Sequence, residues 1–495
     1  MHAKESKLRR WIIEDFEFDE ETSILRQGEH AVEVKGNQCA LLKYLILTFS
    51  KCPKPTNNDI MNEIWKRLDA EANLHQTASI LRKAFGSVGR EYLATKPHYH
   101  LLKKPAPVYG SFEGDARWFL KKTYYGYRDE QCPRINDPEL VPYLEKRYHC
   151  NALELGCTKI AVSVIWENRT ECIFPDQILG RFDFTNPIPF HSSTTLTASE
   201  YRAARQFIEA QYQAGIITYE GCDYRMTSIE LGSTIPKVNG AFGLYYDNIL
   251  TQYAMEWELK KALLSGHKFS SIDTLLKPGT LPLRESVEAH GNPLFSGEGR
   301  CAAITISTLL IFKRSRGNFS CLIRRRSMEV GVSPGMLHVV PAGMFEASNT
   351  HDKWSIELNV WRELLEEVYS DPDALGSSLA ELTDHLRGRE PIKLLCKMLQ
   401  KGSAEFSVTG IVCDLLNLRP EICTVLYIND SAFVESREMK VNWEYEPEHR
   451  FGKFAVEWAR IDEVIDGDGA KYGIVASGAG CIALGREWAR NRHGL

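Results

Sequence analysis

The run Ala302-Ala303-Ile304-Thr305-Ile306-Ser307-Thr308-Leu309-Leu310-Ile311-Phe312-Lys313 constrains this chain more than any other. It has apolar residues at both odd and even positions, is rich in β-branched side chains, and contains neither glycine nor proline. Such a segment cannot keep one face in water, so it predicts a strand of the buried type. A Ser315 to Gly317 turn and a second β-prone run, Phe319 to Arg324, follow it and predict an antiparallel partner. One such core does not account for 495 residues, since a domain takes roughly 150 residues and about three are expected.

Composition narrows the class. Hydrophobic residues are 43% and charged residues 25% of the chain, which fits folded globular domains and not a disordered chain or a coiled-coil rod. The longest nearly apolar runs, Cys301 to Phe312 and Gly473 to Leu484, hold about a dozen residues against the roughly 18 to 20 needed to span a bilayer. No membrane partner is expected. The N-terminus, Met1-His2-Ala3-Lys4-Glu5-Ser6-Lys7, shows no apolar segment of the secretory type. Thirteen cysteines, scattered and without a CxxC pair, predict free, mostly buried thiols in a reducing compartment, and hence a cytoplasmic protein.

The first hundred residues alternate short β-prone runs with turns: Trp11 to Phe18, Ser23 to Leu25, Ala31 to Val34. That pattern predicts a small antiparallel sheet. From Gly36 the apolar period becomes helical, with helices expected through Cys39, Leu42, Leu45 and Ile46, over about Asn58 to Leu68, and over about Leu74 to Phe85. A hairpin is expected across Tyr92 to Leu102. In the third helix Leu74, Ala78, Leu81 and Phe85 share a core stripe, which turns His75, Gln76, Ser79, Arg82 and Lys83 outward. The local charge supports an anionic partner, because residues 74 to 104 hold six basic side chains, Lys96 among them, against the single acid Glu91.

These residues carry a resemblance. Leu41-Leu42-x-Tyr44-Leu45, Ile64-Trp65, the run from Ala78 to Gly86 and Tyr92-x-x-Thr95 leading to Tyr99-x-Leu101 resemble the OmpR/PhoB-type winged-helix DNA-binding domain over about residues 10 to 103. The resemblance implies that His75, Gln76, Ser79, Arg82, Lys83 and Lys96 meet double-stranded DNA, the helix in the major groove. The alternative reading is that Arg82 and Lys83 form an ordinary solvated face and that the winged helix binds a protein. The glycine-bearing wing turn of that family is shortened here to Pro97-His98.

Between residues 105 and 297 the reading yields elements without chemistry. Pro105 to Gly110 is expected as a linker, with helices over about 114 to 122, 138 to 149, 198 to 214 and 248 to 264, and strands over 159 to 166 and 215 to 219. The Gly240-Ala241-Phe242-Gly243 stretch lacks a following GK[ST] and predicts a turn before a phosphate cradle. His149, His191 and His290 stand singly, the usual pattern of structural histidines.

The C-terminal segment brings back chemistry. After Gly335 to Gly343 the spacing predicts a helix capped by Asp352 and ended before Pro372. On it Trp354, Leu358, Trp361, Leu365 and Val368 form one stripe, and Glu363, Glu366 and Glu367 cluster on the opposite face beside Arg362. Clustered glutamates suit a hard divalent cation such as Mg²⁺ completed by water and phosphate oxygens. They are also what a solvated surface helix looks like. Arg362-Glu363-Leu364-Leu365-Glu366-Glu367, after strands and Pro341-Ala342-Gly343, resembles the Nudix box, over about residues 300 to 490. Further strands are expected near Phe406 to Leu415 and Ile422 to Ile428, and a helix near Ala459 to Ile465. The resemblance implies an α/β/α sandwich in which Glu363, Glu366 and Glu367 bind Mg²⁺ or Mn²⁺ and would serve catalysis, with Arg362 orienting them. Arg324 and Arg326, which strand alternation puts on one face, are expected either to meet the phosphates of a nucleotide-type ligand or to form a solvated strand end. Trp354 stands where the family has a glutamate and Tyr369 where it has a glycine; binding with weak or lost hydrolysis is expected.

The chain therefore reads as a multidomain α+β protein: a winged helix over 1–104, a middle α+β region over 105–297, and a Nudix-like domain over 298–495. The expected function is transcription regulation by a DNA-binding protein, a homodimer, that senses a nucleotide-type small molecule. The competing readings are a metal-dependent pyrophosphohydrolase recruited by its winged helix, and a binding module whose C-terminal domain serves only to dimerise.

Overall fold

The computed structural model describes residues 10–13, 16–19, 24–27, 30–34, 37–47, 60, 61, 64, 71–85, 93, 94, 100, 101 and 105–108, then 139–168, 172–183, 222–232, 234–265, 271–327, 330, 333, 335–345, 355–370, 386–436, 439, 442, 444, 445, 455–469 and 473–495. The protein is of mixed α and β type and divides into two compact units, one running to Gly114 with Ile217–Gly221, the other comprising Asp115–Ile216 and Cys222–Leu495.

In the first unit, strands β1 (Arg10–Ile13), β2 (Phe16–Asp19), β3 (Ile24–Gln27) and β4 (His30–Glu33) form an antiparallel meander. Helices α1 (Asn37–Leu47) and α2 (Glu71–Ala84) follow, then the short hairpin β5 (Leu93–Ala94) and β6 (His100–Leu101). Of the helix expected over 58 to 68, residues 60, 61 and 64 are described and helical. The unit's core contains the stripe expected from the sequence: Leu74, Ala78, Leu81 and Phe85 are all buried, the Phe85 ring edge-on to Phe16 at 5.0 Å. The expected linker is instead a strand, β7 (Pro105–Val108), antiparallel to β1 in the register Ile13↔Pro105 and Trp11↔Pro107. Proline gives no ladder donor and so suits an edge, and β7 is the edge strand of the five-stranded sheet.

The second unit is built on the doubly apolar strand segment Thr305–Lys313. Strand β13 (Thr305–Lys313) pairs in parallel with β19 (Pro420–Ile428), from Thr305↔Glu421 to Phe312↔Ile428. Its side chains part by parity, as a pleated strand requires. Ile306, Leu310 and Phe312 join one apolar cluster with Ile422, Leu426 and Ile428, while Leu309 and Ile311 join a second with Cys423, Val425 and Tyr427. Each cluster is closed by helices. The first takes Trp361 and Leu365, with α7 (Ile392–Lys401); the second takes α8 (Ala476–His493). Helices thus cover both faces of the sheet, which also contains β14 (Phe319–Cys321), β17 (Ala342–Met344), β18 (Ala404–Asp414) and β20 (Val456–Glu457).

Three differences from the sequence reading have physical causes. The boundary expected at 297/298 does not separate compact units, because β8 (Ala152–Leu155) and β9 (Thr158–Glu167) extend the same sheet, β9 lying antiparallel to β18 across Gly410↔Glu167 and Asp414↔Val162. The glycine stretch 240–243 lies inside strand β12 (Lys237–Leu244), parallel to β10 (Leu179–Asp183) and antiparallel to β11 (Cys222–Glu230). Its glycines answer crowding, since a Cβ on Gly240 would lie 2.1 Å from the Phe182 ring and one on Gly243 2.5 Å from the Cys301 sulfur. Helix α8 has no clear helical signal in the sequence, because glycine disfavours a helix interior, but Gly478, Gly480 and Gly485 let α8 press onto His338, Val412 and Leu309.

The expected helix over 138–149 is α3 (Leu140–Tyr148), stopped by His149 in the left-handed conformation (φ 51°), a structural role for that histidine. The expected helix over 248–264 is a longer run, Tyr245–Asn248, a π-helical turn Ile249–Tyr253, and α4 (Ala254–Ser265). The late helix is a succession of Trp458–Arg460, Ile461–Glu463 and the π-helical Val464–Gly469. The helices expected over 114–122 and 198–214, the strand expected over 215–219, and His191 lie outside the described residues. Among the described residues no helix is long and apolar enough to cross a membrane, and the ten described cysteines are free thiols, five of them buried.

Glu258 on α4 holds the N-terminus of helix α5 (Pro282–Glu288), accepting the N–H groups of Leu283 at 2.9 Å and Arg284 at 3.2 Å. Burial outweighs these bonds and pushes its carboxyl up to about 7. A folded value above the unfolded one means that the stabilisation it gives is complete below the unfolded value and is lost as pH rises through about 7. Glu258→Gln should therefore gain stability relative to wild type between pH 5 and pH 8, by up to about 3 kcal/mol. Thermal melts of both proteins across that range check this; a pH-independent difference would contradict it.

Candidate functional site

The glutamate-bearing helix begins later than its sequence suggests. Its cap is Ser355, whose Oγ accepts the Leu358 N–H at 3.3 Å and donates to Asp176 Oδ2 at 3.0 Å, while Asp176 Oδ1 accepts the Ile356 N–H at 2.8 Å. Asp352 and Trp354 lie outside the described residues. Helix α6 (Ile356–Glu363) then widens into a π-helical turn, Leu364–Val368, a device that re-aims side chains within a helix. Val360 through Leu365 are all buried. The glutamates therefore do not share a solvated face: Glu363 is 7% exposed and Glu367 1%, while Glu366 is half-buried.

Two of the three carboxylates are brought to one place. Glu367 Oε2 accepts the Ala342 N–H at 2.7 Å, and its Oε1 accepts the Tyr445 hydroxyl at 3.1 Å. Glu363 packs on the next residue, where a Cβ at Gly343 would stand 2.2 Å from its Cδ. Arg362 binds both sides of this junction, its Nη2 donating to Glu363 Oε1, to Asn359 Oδ1 at 3.0 Å and to the Met344 carbonyl at 3.0 Å. Strand β17 is thus the floor on which both carboxylates rest.

The electrostatics follow from that crowding. Burial, then repulsion from Glu444 and Glu363, drives the Glu367 carboxyl well above the ordinary carboxylate range. Arg326 offsets part of it, since its Nη2 stands 3.7 Å from Glu444 Oε2 and its guanidinium lies 5.8 Å from the Tyr445 ring centroid. The sequence placed Arg326 on a phosphate; the structure places it beside Glu444 and Glu367. Arg324, on β15 (Ile323–Arg325), is 1% exposed and faces His338 of β16 (Leu337–Val339) in register. Burial, with Arg326 and Arg419 nearby, holds the His338 imidazole well below its ordinary value.

Among the described residues no three His, Cys, Asp or Glu side chains are grouped to hold a metal ion by themselves. Two carboxylates completed by phosphate oxygens and water are the arrangement Mg²⁺ commonly accepts, and the repulsion around Glu367 is relieved by an added cation. The donor set fits on those terms.

Several contributors carry no sequence signal. Glu444 and Tyr445 are nearly eighty positions from Glu367 and sit in no motif. The middle-region helical run also borders this place: Asn248 Nδ2 lies 3.9 Å from the Met344 sulfur, Gln252 Nε2 donates to the Leu418 carbonyl at 3.2 Å, and the Tyr253 hydroxyl accepts from Arg419 Nη1 at 2.5 Å.

In the first unit, Gln76, Ser79 and Lys83 are exposed on α2, with Ile80, 42% exposed, among them. His75 and Arg82 lie on the same helix, with their side chains outside the described set; Lys96 lies outside the described residues. No protein family matches the chain's sequence, and no curated protein matches it.

Gly343→Ala should destabilise the protein by about 1 to 3 kcal/mol, the usual cost of overpacking. Glu363→Ala in the same chain should recover part of that loss, because the clash is with its carboxylate. A double-mutant cycle from thermal melts reads the coupling; strict additivity would contradict the packing of Glu363 on Gly343.

Proposed function

We propose that this protein is a DNA-binding transcription regulator whose C-terminal unit, with a Nudix-like fold, senses a nucleotide-type ligand, and whose N-terminal unit is a winged helix of OmpR/PhoB type. The observation that carries the sensing half is the convergence of Glu363 and Glu367 on Ala342-Gly343, with Arg362 and Arg326 beside them. Glu363 and Glu367, with Glu366 adjoining, would hold Mg²⁺ or Mn²⁺, which would neutralise the phosphates of a nucleoside diphosphate derivative. Arg362 fixes the Glu363 carboxylate through its bonds to Asn359 and the Met344 carbonyl, so that the site is pre-organised. For the DNA-binding half, α2 buries one stripe and exposes Gln76, Ser79 and Lys83, residue types that read base edges and anchor phosphates. A single winged helix buries little surface on DNA, so the active form is a homodimer. Ligand occupancy shifts its affinity for an operator by a coupling of about 1 to 3 kcal/mol.

Two measurements test the halves separately. Mn²⁺ with a panel of nucleoside diphosphate derivatives should raise the melting temperature of the wild type with little product formed, and Glu367→Gln should lower the response to Mn²⁺. Rapid turnover would make the protein a hydrolase, and no response to any probe would overturn the sensing reading. Arg82→Ala with Lys83→Ala should weaken DNA binding and flatten its salt dependence by about two phosphate contacts; an unchanged salt slope would overturn the docking of α2.

A further inference from the structure

The middle-region helical run meets Met344 of β17 through Asn248, the last residue before its π-helical turn, and two of its fully buried polar side chains, Asn248 and Gln252, are incompletely satisfied. Asn248 is 0% exposed, and among the described residues its Oδ1 has no hydrogen-bond partner. Its Nδ2 makes a weak contact with the Met344 sulfur. Exchanging the two amide atoms leaves one of them unmatched in either orientation, so the deficit does not depend on which atom is called oxygen. A second such atom belongs to Asn359, which Arg362 links to the Met344 carbonyl. Asn359 is 7% exposed, and its Oδ1 is fixed as the acceptor of Arg362, which leaves Nδ2 as a donor without a partner among the described residues. Arg362 links these groups directly to Glu363 and to the Met344 carbonyl. One buried acceptor and one buried donor therefore flank the Met344 and Arg362 side of the carboxylate site.

An unmatched buried amide costs folding free energy, and one that persists in a native structure asks for an explanation, a bound group among them. We propose that Asn248 is a specificity-determining residue of this site, its side-chain carbonyl accepting a hydrogen bond from the sugar or base of the ligand, with Asn359 Nδ2 donating to the same part. The assignment to the non-phosphate part follows from chemistry: a phosphate oxygen is an acceptor and offers nothing to a carbonyl, whereas sugar hydroxyls and base amino groups are donors. The proposal rests on the sensing reading above and adds to it that residues 245–253 belong to the ligand site.

The test compares wild type with Asn248→Leu, near in shape but without the amide, and with Asn248→Asp, which keeps an acceptor. The probes are Mn²⁺ alone, Mn²⁺ with pyrophosphate, and Mn²⁺ with ADP-ribose or UDP-glucose, read by calorimetry and by melting temperature. Asn248→Leu is expected to melt at the wild-type temperature or above it without ligand, since a structural amide would give the opposite. Its affinity for Mn²⁺ and for pyrophosphate should be unchanged, and its affinity for the better nucleotide probe should fall about tenfold, the loss of one ligand hydrogen bond. Asn248→Asp should retain more of that affinity than Asn248→Leu. A lowered ligand-free melting temperature in Asn248→Leu, an equal loss for pyrophosphate, or no loss for the nucleotide would each overturn the role given to Asn248 while leaving the site standing. A wild type that responds to none of the probes would overturn the sensing reading and the proposal with it.

Discussion

The second unit depends on one constraint: two strands, β13 and β19, that are apolar on both faces and lie in parallel register from Thr305↔Glu421 to Phe312↔Ile428. A parallel pair of this kind is stable only when both faces are covered. Helix α8 meets that need on one side, and α6 with α7 meets it on the other. Removing either cover would expose a row of side chains such as Leu309 and Ile311, or Leu310 and Phe312. Burying one such side chain is worth about 1.5 to 3 kcal/mol. The requirement also explains why α8 tolerates three glycines, since close approach to the sheet outweighs their poor helix propensity.

The glutamate site is a by-product of the same packing. Because Glu363 and Glu367 lie on the buried side of this helical run, their carboxylates take partners inside. The π-helical turn and Gly343 provide them, letting Glu367 reach the Ala342 N–H and Glu363 lie on a backbone without a Cβ. Burial and the closeness of Glu444 and Glu363 push the Glu367 carboxyl well above the ordinary range, although Arg326 and Arg362 stand beside them.

Polar burial extends beyond the carboxylates. Arg419 reaches Tyr253 on one side and stands 3.8 Å from Glu421 on the other, and Glu421 accepts the hydroxyls of Thr305 and Ser307. Glu256 pairs with Lys260 within α4 and accepts from Asn417 at 2.9 Å. These contacts tie the middle-region helical run to the β18–β19 connection. Tyr253 and Glu256 are therefore fixed against the β18–β19 connection.

By itself the sequence determined the elements with strong periodicity: the strand through Thr305–Lys313, the core stripe Leu74, Ala78, Leu81 and Phe85, the hairpin that follows, and the helix bearing Glu363, Glu366 and Glu367. Periodicity is a local property, and it survives in any fold that buries the apolar side. Tertiary structure decided what lay beyond that reach. It placed β8 and β9 in the same sheet as β18, turned Pro105–Val108 into an edge strand, made a strand of the Gly240–Gly243 stretch, and buried two glutamates that helical angles alone put on a solvated face. It also brought Glu444, Tyr445 and Asn248 to the site from positions that no spacing connects. Each of these outcomes turns on which surface a segment meets, and that depends on residues far away in the chain.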